Sequence, residues 1–171
     1  MMTVAKALAA MVAQEPRAWV RDVALHAHAS PCVQALLFAL EGDRDLVFLL
    51  IPSLLGSSVL KVEGGGGDDD EEKKKEKGEG VPSVPTVPRV VGLKEAGSLF
   101  ADVAPRHIRS VMDETAGSHL LEAVLAVAPD EVHAELVSRF VVGHTVSMAR
   151  HPTANYVLQA AISTLRDPHG K

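Results

Sequence analysis

Two stretches of sequence, DETAGSHLLEAVL at 113–125 and HPTANYVLQAAI at 151–162, decide the fold because they align on one frame. A third stretch, ASPCVQALL at 29–37, fits the same frame. Each has a small residue, a polar residue, two variable positions, an apolar residue, and then Gln or Glu. The polar residues Ser118 and Asn155 are 37 positions apart, which is the length of one three-helix unit. Self-similarity at a fixed period of this length is typical of a helical repeat protein.

Helical patterns surround each of these stretches. In the first half we expect a helix over 17–29, a second helix with Pro31 in its first turn, and a third that Asp43 opens and Gly56 ends. The same rhythm returns in the second half, with helices expected over 106–112, 117–127 and 130–141 and from His151–Pro152 onward. The three-helix pattern therefore occurs twice in full and once in part.

A stretch without helical pattern separates the two halves. It reads GGGGDDDEEKKKEKGEG at 64–80 and then VPSVPTVP at 81–88. Glycine, mixed charges and proline cannot bury enough apolar area to offset the entropy of ordering the chain, so we expect a disordered insert. The expected organisation is N-terminal helices and a first repeat at 1–62, the insert at 63–92, a second repeat at 93–142 and part of a third at 143–171. Whether a degenerate repeat lies between 56 and 105 stays open.

The composition also favours helices packed on helices. Hydrophobic residues make up 47% of the chain and aromatic residues only 4%, so Leu, Val and Ala supply the core. A single cysteine, Cys32, excludes an internal disulfide and favours a reducing compartment. The first sixteen residues lack the apolar run of a signal peptide, and no apolar run is long enough to span a bilayer. We therefore expect an all-α protein inside the cell, with no membrane partner.

Each repeated stretch carries two polar side chains four positions apart. The pairs are Ser30 and Gln34, Ser118 and Glu122, and Asn155 and Gln159. On a helix this spacing places both side chains on one face, one turn apart, where they can contact the edge of one flat ring. The residue after the first polar position (Pro31, His119 or Tyr156) projects to the side, where a ring can stack on a base. Three occurrences in register favour single-stranded RNA as the partner.

These stretches resemble pumilio (PUF) repeats, and FVVGHTVSMARHPTANYVLQ at 140–159 is similar to nucleolar members of that family. The resemblance covers 105–165 closely and 17–60 less closely. It implies an α-solenoid whose concave face binds single-stranded RNA. In that family the RNA is precursor ribosomal RNA during small-subunit maturation, in the nucleolus, with proteins of the pre-ribosomal particle as further partners. The family's solenoids hold many more repeats, so we expect this chain to be a fragment or short form.

The resemblance also implies a base for each pair. The implied bases are uracil for Asn155 and Gln159 around Tyr156, guanine for Ser118 and Glu122 with His119 stacking, and adenine for Ser30 and Gln34. At the adenine site Pro31 departs from the usual stacking residue. Because the chain runs antiparallel to the RNA in this family, the last two units should prefer 5′-UG-3′. The A should lie farther to the 3′ side, since the 88 positions from Ser30 to Ser118 leave room for extra helix.

Other functions fit the sequence less well. A protein-interaction solenoid of the armadillo or HEAT kind suits the net charge of −5, and a pumilio-type regulator of messenger RNA would share the same repeats. The discriminating observation is whether the six paired polar side chains lie on one surface. His26, His28 and Cys32 offer metal-ligand chemistry, but residues two apart on a helix point to different sides, and Cys32 fits a small core residue. We expect no metal, cofactor, small-molecule substrate or catalytic residue.

Overall fold

A computed structural model describes residues 4–15, 17–57 and 98–165, and every regular element in these ranges is a helix. The helices are α1 (Val4–Gln14), α2 (Arg17–Leu25), α3 (Ser30–Ala39), α4 (Arg44–Leu54), α5 (Pro105–Asp113), α6 (Thr115–Val127), α7 (Asp130–Leu136), α8 (Thr145–Ala149) and α9 (Ala154–Ser163). A π-helical turn at Val137–Val141 continues α7. The expected all-α fold is confirmed. The expected insert at 63–92 lies outside the described residues.

Local chemistry explains several helix ends. The Asp43 side chain accepts a hydrogen bond from the backbone N–H of Leu46 and so caps α4. A hydrogen bond from Lys6 on α1 holds the pKa of the Asp43 carboxyl below its usual value. After α4 the chain turns at Gly56, whose φ of 80° lies in the left-handed region that glycine adopts readily. The third helix of the first unit therefore begins and ends where the sequence indicates.

The last unit differs from the expectation. A short helix, α8, occupies Thr145–Ala149, where no helix was expected from the residue pattern. The helix expected from His151–Pro152 begins at Ala154 instead, because His151 to Thr153 form the turn between α8 and α9. With α8, the last unit matches the other two, because its middle helix α9 also follows a first helix and a turn.

The helices form three successive units, α2–α3–α4, α5–α6–α7 and α8–α9, with α1 packed mainly on α4. The middle helices of the units pack side by side, α3 on α6 and α6 on α9. We call α3, α6 and α9 the middle-helix layer. Behind this layer the other helices enclose one apolar core, whose fully buried members include Leu37, Leu50, Ile108, Leu120 and Val124. Stacking of units that cannot bury their apolar faces alone is the architecture of an α-solenoid.

The first and second units are direct neighbours. Because α3 packs on α6, no further middle helix lies between them. Ser30 and Ser118 therefore belong to adjacent units, and any extra helix within 58–97 lies outside the described residues. The separation of 88 positions does not reflect distance in the fold, because residues 58–97 lengthen the chain between α3 and α6, which are in contact.

The two ends of this long connection lie together. The Ser57 hydroxyl, just after α4, donates a hydrogen bond to the carbonyl of Leu99. The carboxylate of Glu135 on α7 accepts a hydrogen bond from the backbone N–H of Leu99 at 3.0 Å. The guanidinium of Arg139 donates to the carbonyl oxygens of Ala101 and Val103. The residues on either side of 58–97 therefore meet at one seam between the first two units.

Cys32 is exposed, so its expected role as a small core residue is wrong. The equivalent positions in the repeat, Leu120 and Val157, are buried, and Val157 faces the core of the preceding unit. In the described chain no repeat unit precedes α3, which leaves Cys32 uncovered. Within the described ranges no three His, Cys, Asp or Glu side chains are grouped to hold a metal ion. None of the helices described is long and apolar enough to cross a membrane.

Candidate nucleic-acid interface

The three polar pairs occupy the first two turns of the middle helices, and in each pair the two side chains contact each other. Gln34 donates to the Ser30 hydroxyl at 3.1 Å, and the Ser118 hydroxyl donates to Glu122 at 3.1 Å. On α9 the Gln159 amide donates to the Asn155 side-chain oxygen at 2.9 Å. The spacing of four therefore brings the partners together on one face of each helix, as the sequence predicts.

The two serines also join neighbouring units. The Ser30 hydroxyl donates to the carbonyl oxygen of Ala116 at 3.3 Å, and the Ser118 hydroxyl shares its one proton between Glu122 and the carbonyl oxygen of Thr153, each 3.1 Å away. Each acceptor carbonyl stands two positions before the first polar residue of the next middle helix, so the same bond recurs in register. It aligns the N-terminal ends of α3, α6 and α9, and the three helices run parallel. Both serines are buried, with exposed fractions of 1% and 2%.

The second residue of each pair and the stacking residue supply the accessible groups. The Glu122 side chain keeps 31% of its surface exposed and Tyr156 keeps 51%. Glu122, Tyr156 and Gln159 line one open depression that spans α6 and α9. Pro31 and His119, the equivalents of Tyr156, are exposed as well. The layer therefore presents, in each unit, one hydrogen-bonding group beside one exposed side chain.

The carboxylate of Glu122 is held in place from one side. Its Oε1 atom lies 3.1 Å from the Ser118 hydroxyl and 3.2 Å from Nδ1 of His119. The other oxygen, Oε2, has no hydrogen-bond partner among the described residues. An ionised carboxylate only accepts hydrogen bonds, so this oxygen suits a ligand edge that donates.

His151 organises the start of α9, a role that the sequence did not indicate. Its Nδ1 atom accepts from the backbone N–H of Ala154 at 3.2 Å, and its Nε2 atom lies 3.3 Å from a carboxylate oxygen of Asp113. The Asn155 amide donates to the His151 carbonyl at 2.6 Å. The histidine thus caps α9 and ties it to the end of α5. Its position directly before a proline and a helix start is the only hint in the sequence.

The three polar pairs recur at one end of three adjacent helices, although two of their six members, Ser30 and Ser118, are buried and do not reach the surface. All six paired polar residues lie near the N-terminal ends of three parallel, adjacent helices. The pairs do not scatter over opposite faces, which a scaffold with incidental polar positions would allow. The structure changes the roles expected of the two residues in a pair. The serines are buried and bonded to the next unit, so they are not accessible to a ligand.

This architecture, three-helix units whose middle helices carry paired polar residues, defines the class of PUF-repeat proteins. The sequence profile of the NOP9-like PUF repeat domain matches residues 1–169, and the chain belongs to that family. A solved structure of APUM23 with GGAGUUGACGG is similar in fold, with a TM-score of 0.64 and 19% sequence identity. The match covers 94% of this chain and 23% of that chain, so this chain spans less than a quarter of APUM23 in that structure. No curated protein matches the sequence.

Proposed function

We propose that the middle-helix layer binds single-stranded RNA, one base to each unit. The observation that carries the proposal is the repeated arrangement of one accessible hydrogen-bonding group beside one exposed side chain on three parallel helices. Edge hydrogen bonds combined with stacking are the usual means of reading single-stranded RNA. The open depression shared by Glu122, Tyr156 and Gln159 is continuous across two units, as a bound strand requires.

The proposed base order is 5′-UGA-3′. Asn155 and Gln159 would select U and Glu122 would select G, as the family pattern implies. Because α3 packs directly on α6, the A proposed for Gln34 follows the G without a gap. The sequence GGAGUUGACGG in the APUM23 structure contains the triplet UGA, which is consistent with this order.

The proposed natural target is precursor ribosomal RNA in the nucleolus, alongside proteins of the pre-ribosomal particle. Membership of the NOP9-like family supports this target and its place in small-subunit maturation. Crosslinking the protein to cellular RNA and sequencing the bound sites tests it. Enrichment of precursor ribosomal RNA is expected, whereas enrichment of messenger RNA would identify a messenger RNA regulator.

An isosteric change at Glu122 tests base reading directly. Glu122→Gln replaces an acceptor by a group that also donates, so the preferred second base should change from G toward A. One bidentate base contact is worth about 1–3 kcal/mol of discrimination, measured in duplex grooves, so a shift of about tenfold or more is expected. The measurement is the dissociation constant of the chain for short RNAs that differ only at that base.

The matched control is Glu41→Gln, which removes the same charge from an exposed residue beyond the end of α3. It should leave the order of base preference unchanged. If Glu122→Gln and the parent protein prefer the same base, Glu122 does not contact the RNA. If the parent protein binds no RNA, or binds a protein through this layer instead, the scaffold alternative replaces the proposed function.

A further inference from the structure

A cavity of about 160 Å³ opens beside the N-terminal end of α9. Its floor is apolar and its rim is polar. The floor is formed by Met112, Phe140 and Met148, and the rim by Arg109, His144 and His151. Ala154, the first residue of α9, also lines the cavity and directly precedes Asn155. The cavity therefore adjoins the edge of the middle-helix layer at the unit proposed to select uracil.

The charges around this cavity favour an anion. The Arg109 Nη2 atom lies 3.0 Å and 3.1 Å from the two ring nitrogens of His144, and within the described chain Arg109 forms no ion pair. The carboxylate that also lines the cavity, Asp113, has one oxygen 3.3 Å from Nε2 of His151. A guanidinium beside an imidazole with no carboxylate between them leaves N–H donors available to a negative group.

The opposite end of the layer has the reverse character. Glu41, Asp130 and Glu131 lie near the C-terminal ends of α3 and α6, where Arg44 is paired with Glu131 at 2.6 Å. The dipoles of three parallel helices also place partial positive charge at the N-terminal end and partial negative charge at the C-terminal end. A polyanionic strand on the layer is therefore attracted toward the Arg109 end, even though the whole chain has a net charge of −5.

We propose that Arg109 and His144 bind a backbone phosphate of the RNA, next to the base that α9 selects. Ligand pockets for larger molecules enclose roughly 300–1,000 Å³, so a cavity of this size suits a phosphate group better than a whole nucleotide. This contact adds affinity without sequence preference, because phosphate is common to every nucleotide. The inference rests on the proposed RNA-binding function and adds the path of the strand.

Salt dependence and a neutral phosphate test the contact. Affinity of the whole chain for a short RNA containing UGA is measured across a salt series, for the parent protein and Arg109→Gln. The variant should bind every base sequence roughly three- to tenfold more weakly, with unchanged base preference. The slope of log K against log salt should become shallower by about 0.7, the value for one single-strand phosphate contact. Arg44→Gln, a charge-matched change at the opposite end, should leave the slope unchanged.

A methylphosphonate placed at each position of the RNA in turn removes one backbone charge at a time. The parent protein should lose affinity most at the phosphate beside the U, and Arg109→Gln should lose no more there, since the two changes remove one interaction. Additive losses, or an unchanged salt slope in a folded Arg109→Gln variant, overturn the phosphate site while base preference still supports RNA binding. A parent protein that binds no RNA overturns both proposals.

Discussion

At the scale of single residues, the buried serines of the middle-helix layer join one unit to the next. Ser118→Ala removes the hydroxyl that reaches the Thr153 carbonyl, which keeps its bond from the Tyr156 N–H, so the cost should be that of one hydrogen bond, about 0.5–1.5 kcal/mol. We expect urea unfolding to show a loss in this range. RNA affinity should fall equally for all bases at the second position, because Glu122 still selects among them.

Ser138→Ala is the control for this change, since among the described residues the exposed Ser138 hydroxyl bonds only to the carbonyl of Glu135, three positions earlier. Its stability should change by no more than about 0.5 kcal/mol. Should Ser118→Ala keep full stability and alter base preference, the hydroxyl contacts the base and the bond to Thr153 is incidental.

Tyr156 is the stacking residue whose contribution is simplest to isolate. Half of its surface is exposed on α9 beside the pair of Asn155 and Gln159, so its removal leaves little of the core uncovered. Tyr156→Ala should weaken RNA binding by about 1–3 kcal/mol, the usual worth of one base–aromatic stack. Fluorescence anisotropy with a labelled RNA measures the change. Tyr156→Phe keeps the ring and should bind nearly as well, whereas equal losses in both variants would point to the hydroxyl.

The residue pattern could predict which side chains pair within a helix, but not what the pairs bond to across units. The spacing of four fixes the contact between Ser118 and Glu122, because both belong to one helix. The acceptor for Ser118 lies 35 positions away, at Thr153, and only the packing of α6 on α9 brings it near. The exposure of Cys32 was beyond prediction for the same reason, since it depends on which unit lies alongside.

At the scale of helices, Gly117 sets how closely α5 approaches α6. A Cβ atom there would lie far inside contact distance of the Val111 carbonyl oxygen and 2.8 Å from Val111 Cγ1. Alanine in a helix normally stabilises by about 0.8–1 kcal/mol relative to glycine, but this clash with backbone should outweigh it. We expect Gly117→Ala to lower the free energy of unfolding by about 1–3 kcal/mol, as overpacking does.

Gly42 provides the matched control, because a Cβ atom at that position meets nothing within 4 Å. Gly42→Ala should leave the melting temperature unchanged or slightly raised, since it restricts the unfolded chain. If both variants melt like the parent protein, α5 can withdraw from α6 without cost and the close approach does not stabilise the unit.

Helix ends with a local cause were predictable, and those without one were not. Asp43 caps α4 and glycine ends it, so the sequence indicates both limits. The five-residue helix α8 lacks a side-chain cap at its start, and its Met148 packs in the core. Such a helix forms because its neighbours cover it, which no local pattern records.

At the scale of the whole molecule, the closed seam predicts that the long connection is dispensable for folding. Ser57 and Leu99 bond to each other, so the described residues that flank the 40 residues at 58–97 lie close together. Replacing them with about eight Gly and Ser residues should keep the helical content and the proposed UGA preference. Closing a shorter loop costs less entropy, so stability should rise by about 1 kcal/mol.

Circular dichroism and urea unfolding of the shortened chain measure both effects. As a control, the same shortening is combined with Glu135→Gln. This change weakens the hydrogen bond from the Leu99 N–H to residue 135, so the double variant should be less stable than the shortened chain alone. Loss of helical content on shortening alone would show that residues 58–97 contribute to the core.

The serine hydrogen bond between units places different demands on the two units that it joins. The donor is a specific side chain, Ser30 or Ser118, but the acceptor is a main-chain carbonyl that every amino acid possesses. For this one bond, a unit behind Ser118 needs only the right backbone turn before its middle helix, whereas the contact of His151 with Asp113 depends on a side chain. A duplicated unit could therefore form the same bond with its neighbour without any change of side chain at the acceptor position.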